Sequence, residues 1–313
     1  MSFTLELLLP AQCSQSSPCP LFATQTNHRR WALVALARGY AALVYPGADS
    51  DDQTDGFRLA YPEATWGLIA RRAWLGSRAL DYVLMRSEVD QQRVCITGHS
   101  RNGKQSLILA AWDERITAVI SSSSGAPAMS PYRFTSSDTF SESPYGPWPN
   151  APSMLNCSCT RNAADDARPP DPRCCWWLPS VADWDGRENE VPVDSHGLLA
   201  LIAPRAVASQ CAHNDPCDPS FAVERSYLAG KAVYAFLNAT ERLRLIWRPG
   251  QHHGFEDMQL YFDWFDAALG LGPGSLADFE EVLIHHFDWE AWNRTTAFVA
   301  PPAQDAAREE RVR

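Results

Sequence analysis

Short, nearly continuous apolar segments recur along the chain, and each ends at a glycine, a proline or a polar turn. Such segments are typical of strands that are buried on both faces of a sheet. Six segments have this character: FTLELLLP (3–10), AALVY (41–45), RVCIT (93–97), ITAVI (116–120), RAVASQCA (205–212) and LRLIW (243–247).

Between these segments, apolar residues recur every three or four positions, as they do on one face of an amphipathic helix. Strands that alternate with helices predict an α/β fold, in which a mostly parallel central sheet carries helices on both faces. The spacing predicts helices at 31–37, 63–86, 103–113, 195–202, 220–237 and 255–269, with a further helical region at 275–294.

Residues 127–192 break this alternation, since they are rich in proline, serine, cysteine and tryptophan and show weak periodicity. We interpret them as a disulfide-braced loop insertion within a single domain that covers residues 1–294. Residues 295–313 are predicted to form a polar C-terminal tail.

Charge and hydropathy exclude two classes of partner. The net charge is −10 and no stripe of lysine and arginine is present, so a nucleic-acid partner is not expected. No apolar run approaches the roughly 18–20 residues that span a bilayer, so a membrane partner is not expected either.

The cysteine content favours an oxidising compartment, because eight of the nine cysteines lie in loop-like contexts. We expect four disulfides among these eight and one buried thiol at Cys95. Free or zinc-bound cysteines are the alternative, although Cys-x-Cys and Cys-Cys pairs fit zinc spacing poorly. The eight are Cys13, Cys19, Cys157, Cys159, Cys174, Cys175, Cys211 and Cys217.

Glycosylation sequons point to the same compartment. Three are present, at Asn156, Asn238 and Asn293, and they favour a secreted or otherwise extracytosolic glycoprotein. The N-terminal residues lack a basic segment and have only a short apolar run, so no leader is evident in this chain.

The segment GHSRNGK (98–104) places Ser100 between a predicted strand and a predicted helix. Ser100 is either the N-cap of that helix or a nucleophile on a sharp turn. The nucleophile elbow of α/β hydrolases reads Gly-x-Ser-x-Gly, whereas here the second glycine comes one residue later, at Gly103. A serine in this place has backbone N–H groups and a helix dipole beside it, and both stabilise an oxyanion.

Candidate partners for Ser100 follow the last two predicted strands. Asp215 and Asp218 come after the first of these strands, and His252 and His253 come after the second. A serine needs a base to take its proton, and the base needs a carboxylate to fix its tautomer. The order serine, acid, histidine is that of the α/β hydrolases, so these residues predict a catalytic triad. A lone aspartate or histidine in a loop is more often a cap or a solvated turn.

These residues resemble the glucuronoyl esterase family of carbohydrate esterases, within the α/β-hydrolase superfamily. GHSRNGK (98–104) matches the family elbow Gly-Cys-Ser-Arg-x-Gly-Lys except at its second position. VPVDSHGLLALIAPRAV (191–207) is similar to the family's Asp-x-His…Ala-Leu-Ile-Ala-Pro-Arg segment, and KAVYAFL (231–237) and RPGQH (248–252) fit later elements. The resemblance covers about residues 20–270 and implies an α/β-hydrolase fold.

The resemblance also implies roles for individual residues. Ser100 is the nucleophile, Arg101 contributes its side chain and backbone N–H to the oxyanion hole, and Lys104 binds hydroxyls of a uronic acid ring. Trp176 fits a tryptophan that stacks on the sugar, and Glu142 is a candidate acceptor for a sugar hydroxyl. The alternatives are solvated charge for the two cations, core packing for Trp176 and solvent exposure for Glu142.

The chain departs from the family pattern at the acid. Many family members take it from a glutamate after the strand that follows the elbow helix, but here that place falls near Ser123, with no carboxylate. We therefore place the acid at Asp215 first and Asp218 second.

Two further departures concern histidines. The cysteine that often precedes the nucleophile is His99 here, which removes a disulfide. For the base, a His-Gly-Phe register favours His253 and the register Arg-Pro-Gly-x-His favours His252, and we prefer His253 slightly.

We therefore expect a serine carboxylic-ester hydrolase that forms an acyl-enzyme and uses no metal or other cofactor. The expected partner is a carbohydrate ester, namely an ester of glucuronic acid in plant-type polysaccharide. The alternatives are an acetyl (xylan) esterase or peptidase on the same fold, and a hydrolase-fold binding protein without catalysis. The sequence leaves the oligomeric state open.

Overall fold

The computed structural model describes residues 2–48, 51–126, 128–131, 190–254 and 256–285. Most of the predicted insertion and the whole predicted tail lie outside these residues, so the predicted domain boundaries stay predictions. Contacts divide the chain into two units, Met1–Val282 and Leu283–Arg313. Of the second unit only 283–285 are described, and they form neither helix nor strand.

One sheet forms the centre of the first unit. It contains β1 (Glu6–Leu8), β2 (Cys19–Gln25), β3 (Ala41–Tyr45), β4 (Val89–His99), β5 (Ala118–Ser122), β6 (Ala206–Ala212) and β7 (Leu243–Arg248). The order across the sheet is β1-β3-β2-β4-β5-β6-β7. Only the β1–β3 pair is antiparallel within this sheet. The predicted mostly parallel sheet is therefore confirmed.

Helices cover both faces of the sheet, as predicted. Those within the described residues are α1 (Arg29–Ala37), α2 (Asp55–Ala60), α3 (Leu68–Val83), α4 (Arg101–Trp112), α5 (Ser195–Ile202), α6 (Ser220–Phe236) and α7 (Met258–Leu269). α1 packs with α7 on one face, while α3, α4, α5 and α6 pack side by side on the other. Among these helices, none combines the length and the apolar character that crossing a membrane requires.

Aromatic packing fixes α7 against the sheet. Phe22 of β2 is fully buried, and its ring centroid lies 5.0 Å from that of Phe262 and 6.2 Å from that of Phe265. Burial of each such side chain stabilises the fold by about 1.5–3 kcal/mol. Because α7 begins shortly after β7 ends, this contact anchors the far end of the loop that carries His252 and His253.

The apolar pattern missed β2, although this strand lies between β3 and β4 near the middle of the sheet. Its last two residues are the polar Thr24 and Gln25, both fully buried. Gln25 Nε2 donates to Tyr45 Oη at 2.9 Å and to Ser106 Oγ at 3.0 Å, so side chains from β3 and α4 satisfy the NH2 group of its buried amide. The short helix α2 was not predicted either.

The helix predicted at 275–294 is wrong for the residues described. They form a single 3-10 turn, Leu276–Asp278, and residues 279–285 are not helical. Tertiary partners hold this segment in a non-helical conformation, because Lys231 on α6 pairs with Glu281 and Trp247 Nε1 donates to the Val282 carbonyl at 2.8 Å.

The turn between β4 and α4 is unusually tight. Ser100 has φ 57° and ψ −127°, a backbone conformation that is energetically unfavourable for any residue other than glycine. A Cβ at Gly98 would lie 2.5 Å from the backbone oxygen of Asn102, and one at Gly103 would lie 2.9 Å from that of Ser122. Both glycines are therefore required by close backbone approach, and the displaced second glycine serves the packing of α4 on β5.

The structure corrects the disulfide prediction. Cys13 and Cys19 form a disulfide, and Cys95 is a buried thiol, as expected. Cys211 and Cys217 are thiols rather than a bridge. Cys211 belongs to β6 and not to a loop, and its Sγ contacts the backbone oxygen of Asp218 at 3.2 Å. The other four cysteines lie outside the described residues.

We predict that alkylation during denaturation without reductant will label Cys95, Cys211 and Cys217, whereas Cys13 and Cys19 will be labelled only after reduction. The reason is that the first three are thiols and the last two are bonded to each other. Peptide mapping by mass spectrometry checks each site. A peptide pair cross-linked through Cys211 and Cys217 would contradict the structure.

A second prediction concerns the tight turn. Gly98→Ala should lower the free energy of unfolding by about 2–3 kcal/mol or more, because backbone atoms on α4 would have to move. Gly197→Ala in α5 is the matched control: its Cβ meets nothing within 4 Å, so stability should rise by about 0.5–1 kcal/mol. Urea denaturation of both variants measures the difference, and equal effects would show that the approach at Gly98 is not limiting.

Candidate active site

Ser100 does not cap the helix that follows it with its side chain. It occupies the N-cap position of α4, yet its side chain makes no capping hydrogen bond. Its backbone N–H donates to the Ser122 carbonyl at 2.9 Å, and its own carbonyl accepts from Lys104 N at 3.1 Å. The turn is thus fixed through the backbone, which leaves the hydroxyl available.

The structure brings Ser100, His252 and Asp215 together. His252 Nε2 lies 3.0 Å from Ser100 Oγ, and His252 Nδ1 lies 3.0 Å from each carboxylate oxygen of Asp215. Asp215 follows β6 and His252 follows β7, so parallel strands deliver both groups to the same edge of the sheet as Ser100. This arrangement implies an Nδ1–H that donates to Asp215 and an Nε2 that accepts from the serine hydroxyl.

The pKa values of Asp215 and His252 shift in the directions expected of a carboxylate and an imidazole that attract each other. Burial raises the pKa of Asp215, but the hydrogen bond and charge of His252 outweigh it, so the net pKa lies below its usual value. Burial lowers the pKa of His252, but hydrogen bonds to Asp215 and Cys217 and the charge of Asp215 raise it above its usual value overall. Asp215 also accepts a hydrogen bond from the Cys217 backbone N–H at 2.9 Å.

His253, the slightly preferred candidate for the base, is not the histidine that the structure places between Ser100 and Asp215. His253 is exposed, and its ring centroid lies 4.7 Å from that of His252. Arg248 explains the register, because its Nη2 donates to the backbone oxygen of His252 at 2.7 Å. That contact fixes the loop with the ring of His252 turned inward.

Asp218, the second candidate for the acid, is fully buried and has other partners. One of its carboxylate oxygens accepts a hydrogen bond from the hydroxyl of Ser130. Burial first, and then the charge of Asp215, raise the pKa of Asp218 to about 7. The structure therefore places it beside the acid of the pair and not in contact with His252.

Arg248 is the functional residue whose importance the sequence analysis missed. It is the last residue of β7, its side chain is buried, and it donates to Ser123 Oγ at 3.2 Å as well as to His252. Ser123 stands where the family resemblance places a glutamate, and its hydroxyl contributes to the low pKa of Asp215. The sequence did contain a signal for this residue, because Arg248 is the arginine of the Arg-Pro-Gly-x-His register that ends at His252.

The cations of the elbow are placed differently from each other. Arg101 is the first residue of α4 and is partly exposed, so its backbone N–H belongs to the helix N-terminus beside Ser100. Lys104 is fully buried, and its ammonium donates to the Ser124 carbonyl. A cation that binds a sugar has to face solvent or an open pocket, whereas Lys104 in this conformation does not face solvent. Trp176 and Glu142 lie outside the described residues, and their roles stay predictions.

Comparison with known proteins identifies relatives of the chain. A family model described as glucuronyl esterase of fungi matches residues 1–145. A carbohydrate esterase from an unknown prokaryotic organism is 30% identical over 199 residues, which cover 59% of this chain and 40% of the relative. A 4-O-methyl-glucuronoyl methylesterase of Phanerochaete chrysosporium is 25% identical over 232 residues, which cover 71% of this chain and 43% of the relative. The chain thus spans less than half the length of these two relatives.

A solved structure is similar over most of the chain. A carbohydrate esterase family 15 glucuronoyl esterase from Caldicellulosiruptor kristjansonii superposes with a TM-score of 0.69 at 23% identity, covering 91% of this chain and 77% of its own. The family model and the curated relatives therefore confirm the resemblance to the glucuronoyl esterase family, and the structural neighbour confirms the α/β-hydrolase fold.

Proposed function

We propose that the chain is a serine carboxylic-ester hydrolase that cleaves esters of glucuronic acid. The observation that carries this proposal is the ring of His252, which lies 3.0 Å from Ser100 Oγ on one side and 3.0 Å from Asp215 on the other. A serine hydroxyl bonded to an imidazole that is itself held by a buried carboxylate is the arrangement that activates serine for acyl transfer.

The first half-reaction forms an acyl-enzyme. Ser100 Oγ attacks the ester carbonyl carbon while His252 Nε2 accepts the hydroxyl proton. Asp215 keeps the Nδ1–H oriented and stabilises the imidazolium that forms. The carbonyl oxygen becomes an oxyanion beside the N-terminus of α4, where the Arg101 N–H and the helix dipole stabilise it.

The alcohol leaves as the first tetrahedral intermediate collapses, taking the proton from His252, and this completes the acyl-enzyme. In the second half-reaction a water molecule gives a proton to His252 and attacks the acyl carbonyl. As the second tetrahedral intermediate collapses, the bond to Ser100 Oγ breaks, His252 returns the proton to that oxygen, and the uronic acid is freed. Every proton transfer uses the same imidazole nitrogen, so no metal or other cofactor is needed.

Two observations support a glucuronoyl group as the acyl part of the substrate. The elbow GHSRNGK (98–104) matches the family pattern at six of its seven positions, counting the variable one as a match. The curated relatives include enzymes named 4-O-methyl-glucuronoyl methylesterase. We extend that activity to this chain as a proposal. It includes Lys104, Trp176 and Glu142 as the candidate residues that bind the sugar.

A carbohydrate ester of plant-type polysaccharide as partner implies work outside the cytosol. The disulfide between Cys13 and Cys19 supports an extracytosolic location. The thiols at Cys211 and Cys217 reduce the number of disulfides below the four expected, so the location rests on fewer bridges than the sequence suggested.

We predict that the protein hydrolyses methyl glucuronate and that Ser100→Ala lowers turnover by about 10³-fold or more, because the nucleophile is lost. Ser87→Ala is the control, because this exposed serine precedes β4 and so lies at the end of that strand opposite the elbow. Initial rates on methyl glucuronate and on an aryl acetate are measured for parent and variants, with circular dichroism to verify folding. A folded Ser100→Ala protein with near-parental rates would reject the proposal. Hydrolysis of the acetate alone would favour the acetyl-esterase alternative.

Paired substitutions test the other two members of the triad. Asp215→Asn should lower kcat by about 10⁴-fold, since the wrong histidine tautomer then predominates. Asp218→Asn should cost far less, because Asp218 contacts Ser130 and not His252. In the same way, His252→Ala should cost far more than His253→Ala. If Asp218→Asn or His253→Ala is the more damaging member of its pair, the proposed assignment of acid or base is wrong.

A further inference from the structure

Three histidines lie side by side at the edge of the sheet that carries Ser100. His99 is the last residue of β4, and His252 and His253 lie in the loop after β7. One ring nitrogen from each residue lies within 4.8 Å of those from the other two. The ring centroids are 4.8 Å apart for His99 and His252, 5.6 Å for His99 and His253, and 4.7 Å for the two loop histidines.

His99 is held in a defined orientation with one nitrogen unused. Its Nδ1 lies 3.1 Å from Ser122 Oγ and 3.3 Å from a carboxylate oxygen of Glu256. Its Nε2 is buried, since only 8% of the residue is exposed. In the part of the chain that the structure describes, this nitrogen has no hydrogen-bond partner. A buried polar atom without a partner is costly, so its retention beside two other imidazoles calls for a ligand.

The other two histidines complement His99. His252 has its Nδ1 bonded to Asp215, which directs Nε2 towards the centre of the site. A carboxylate behind an imidazole is the usual means by which proteins orient a metal-binding histidine, and here both Asp215 and Glu256 take that position. His253 is exposed, so it provides both a route of entry and the freedom to move.

We propose that His99, His252 and His253 bind a divalent transition metal ion such as Zn²⁺, and that the bound ion inhibits hydrolysis. Three imidazoles with an open fourth position are a favourable ligand set for Zn²⁺, Cu²⁺ and Ni²⁺. In a tetrahedral zinc site with Zn–N bonds of about 2.0–2.1 Å, the nitrogens lie roughly 3.4 Å apart. Nitrogens up to 4.8 Å apart therefore have to approach one another when the ion binds, and the exposed His253 is the ligand with the most space to move.

A second set of ligands nearby is less suitable. Asp215, Cys217 and His252 also place one ligand atom each within 4.8 Å of one another. Both oxygens of Asp215 already accept from His252 Nδ1, and a metal ion between them would replace that hydrogen bond. The thiol would also have to lose its proton. The three-histidine set keeps the bond to Asp215 intact, because it uses the His252 nitrogen on the other side of the ring.

Inhibition follows from the use of His252. A metal ion on its Nε2 occupies the lone pair that would otherwise accept the proton of Ser100, 3.0 Å away. The nucleophile is then not activated until the ion leaves. This consequence rests on the proposed function, whereas the binding itself does not.

The experiment separates binding from inhibition. Protein freed of metal with a chelator is titrated with Zn²⁺ by isothermal calorimetry and with Co²⁺ by visible absorption, which reports tetrahedral coordination. Relative to the parent, His253→Ala and His99→Asn should each remove one bound ion per chain or weaken its binding by about 10-fold or more, as expected when a ligand is lost. His213→Ala is the matched control, because this exposed histidine stacks on Trp247 at 5.5 Å and stands outside the cluster.

The outcomes decide each part. Unchanged Zn²⁺ binding in both His99→Asn and His253→Ala would overturn the site, and loss of binding in Cys217→Ser instead would assign the ion to the other set. If the site is present, Zn²⁺ should reduce the hydrolysis rate of the parent, and addition of chelator should restore it. His99→Asn and His253→Ala should each be less inhibited by Zn²⁺ than the parent, when each rate is compared with that variant's own metal-free rate. Binding without a fall in rate would overturn the inhibition. Absence of hydrolysis in the metal-free parent would contradict the proposed function and leave the calorimetric result standing.

Discussion

The site depends on the close approach of β4 and the first turn of α4. The backbone oxygen of Asn102 lies where a side chain at Gly98 would begin, and Ser100 is forced to positive φ between them. This approach is possible only without a Cβ, and it turns the chain sharply enough to present a hydroxyl at a helix N-terminus. The strained conformation of Ser100 persists because hydrogen bonds from its backbone to Ser122 and Lys104 over-determine it.

A buried guanidinium holds the loop that carries His252 in place. Arg248 joins the hydroxyl of Ser123, at the end of β5, to the backbone of His252. A carboxylate at Ser123 would stand close to Asp215, and two like charges at that separation would oppose each other. The serine removes that conflict, so the acid at the end of β6 remains ionised and the histidine loop gains a fixed support from a neighbouring strand.

Most of the fold followed from the apolar pattern, and its failures have local causes. β2 escaped notice because Thr24 and Gln25 are polar, yet the Thr24 hydroxyl donates to the Thr97 carbonyl and the Gln25 NH2 group donates to Tyr45, contacts that a linear sequence does not reveal. The spacing of apolar residues after 275 predicts a helix. It could not show that Lys231 and Trp247, which are distant in sequence, hold this segment in a non-helical conformation.

The grouping of Ser100, His252 and Asp215 was predictable as far as chain order carries information. Order selected Ser100 and the loops that follow β6 and β7, but it did not separate Asp215 from Asp218, since both follow the same strand. It did not distinguish His252 from His253, because two adjacent residues in a loop differ only in where their backbone is held, and that depends on Arg248. The strand predicted at 205–212 already contained Cys211, so the sequence held the information that this cysteine is not in a loop, although it was counted among the loop cysteines.

The three groups of the site come from β4, β6 and β7, which are not consecutive neighbours, since β5 lies between the first two. The hydroxyl and the imidazole that bonds to it are 152 residues apart. Such long-range pairing forms late in folding, because the entropy of closing the loop must be overcome before any contact compensates for it. The hydroxyl, the carboxylate and the imidazole therefore come together only when β7 has docked on the sheet. A fragment that ends before β7 keeps Ser100 and Asp215 but lacks His252, so assembly of these three groups reports completion of the sheet.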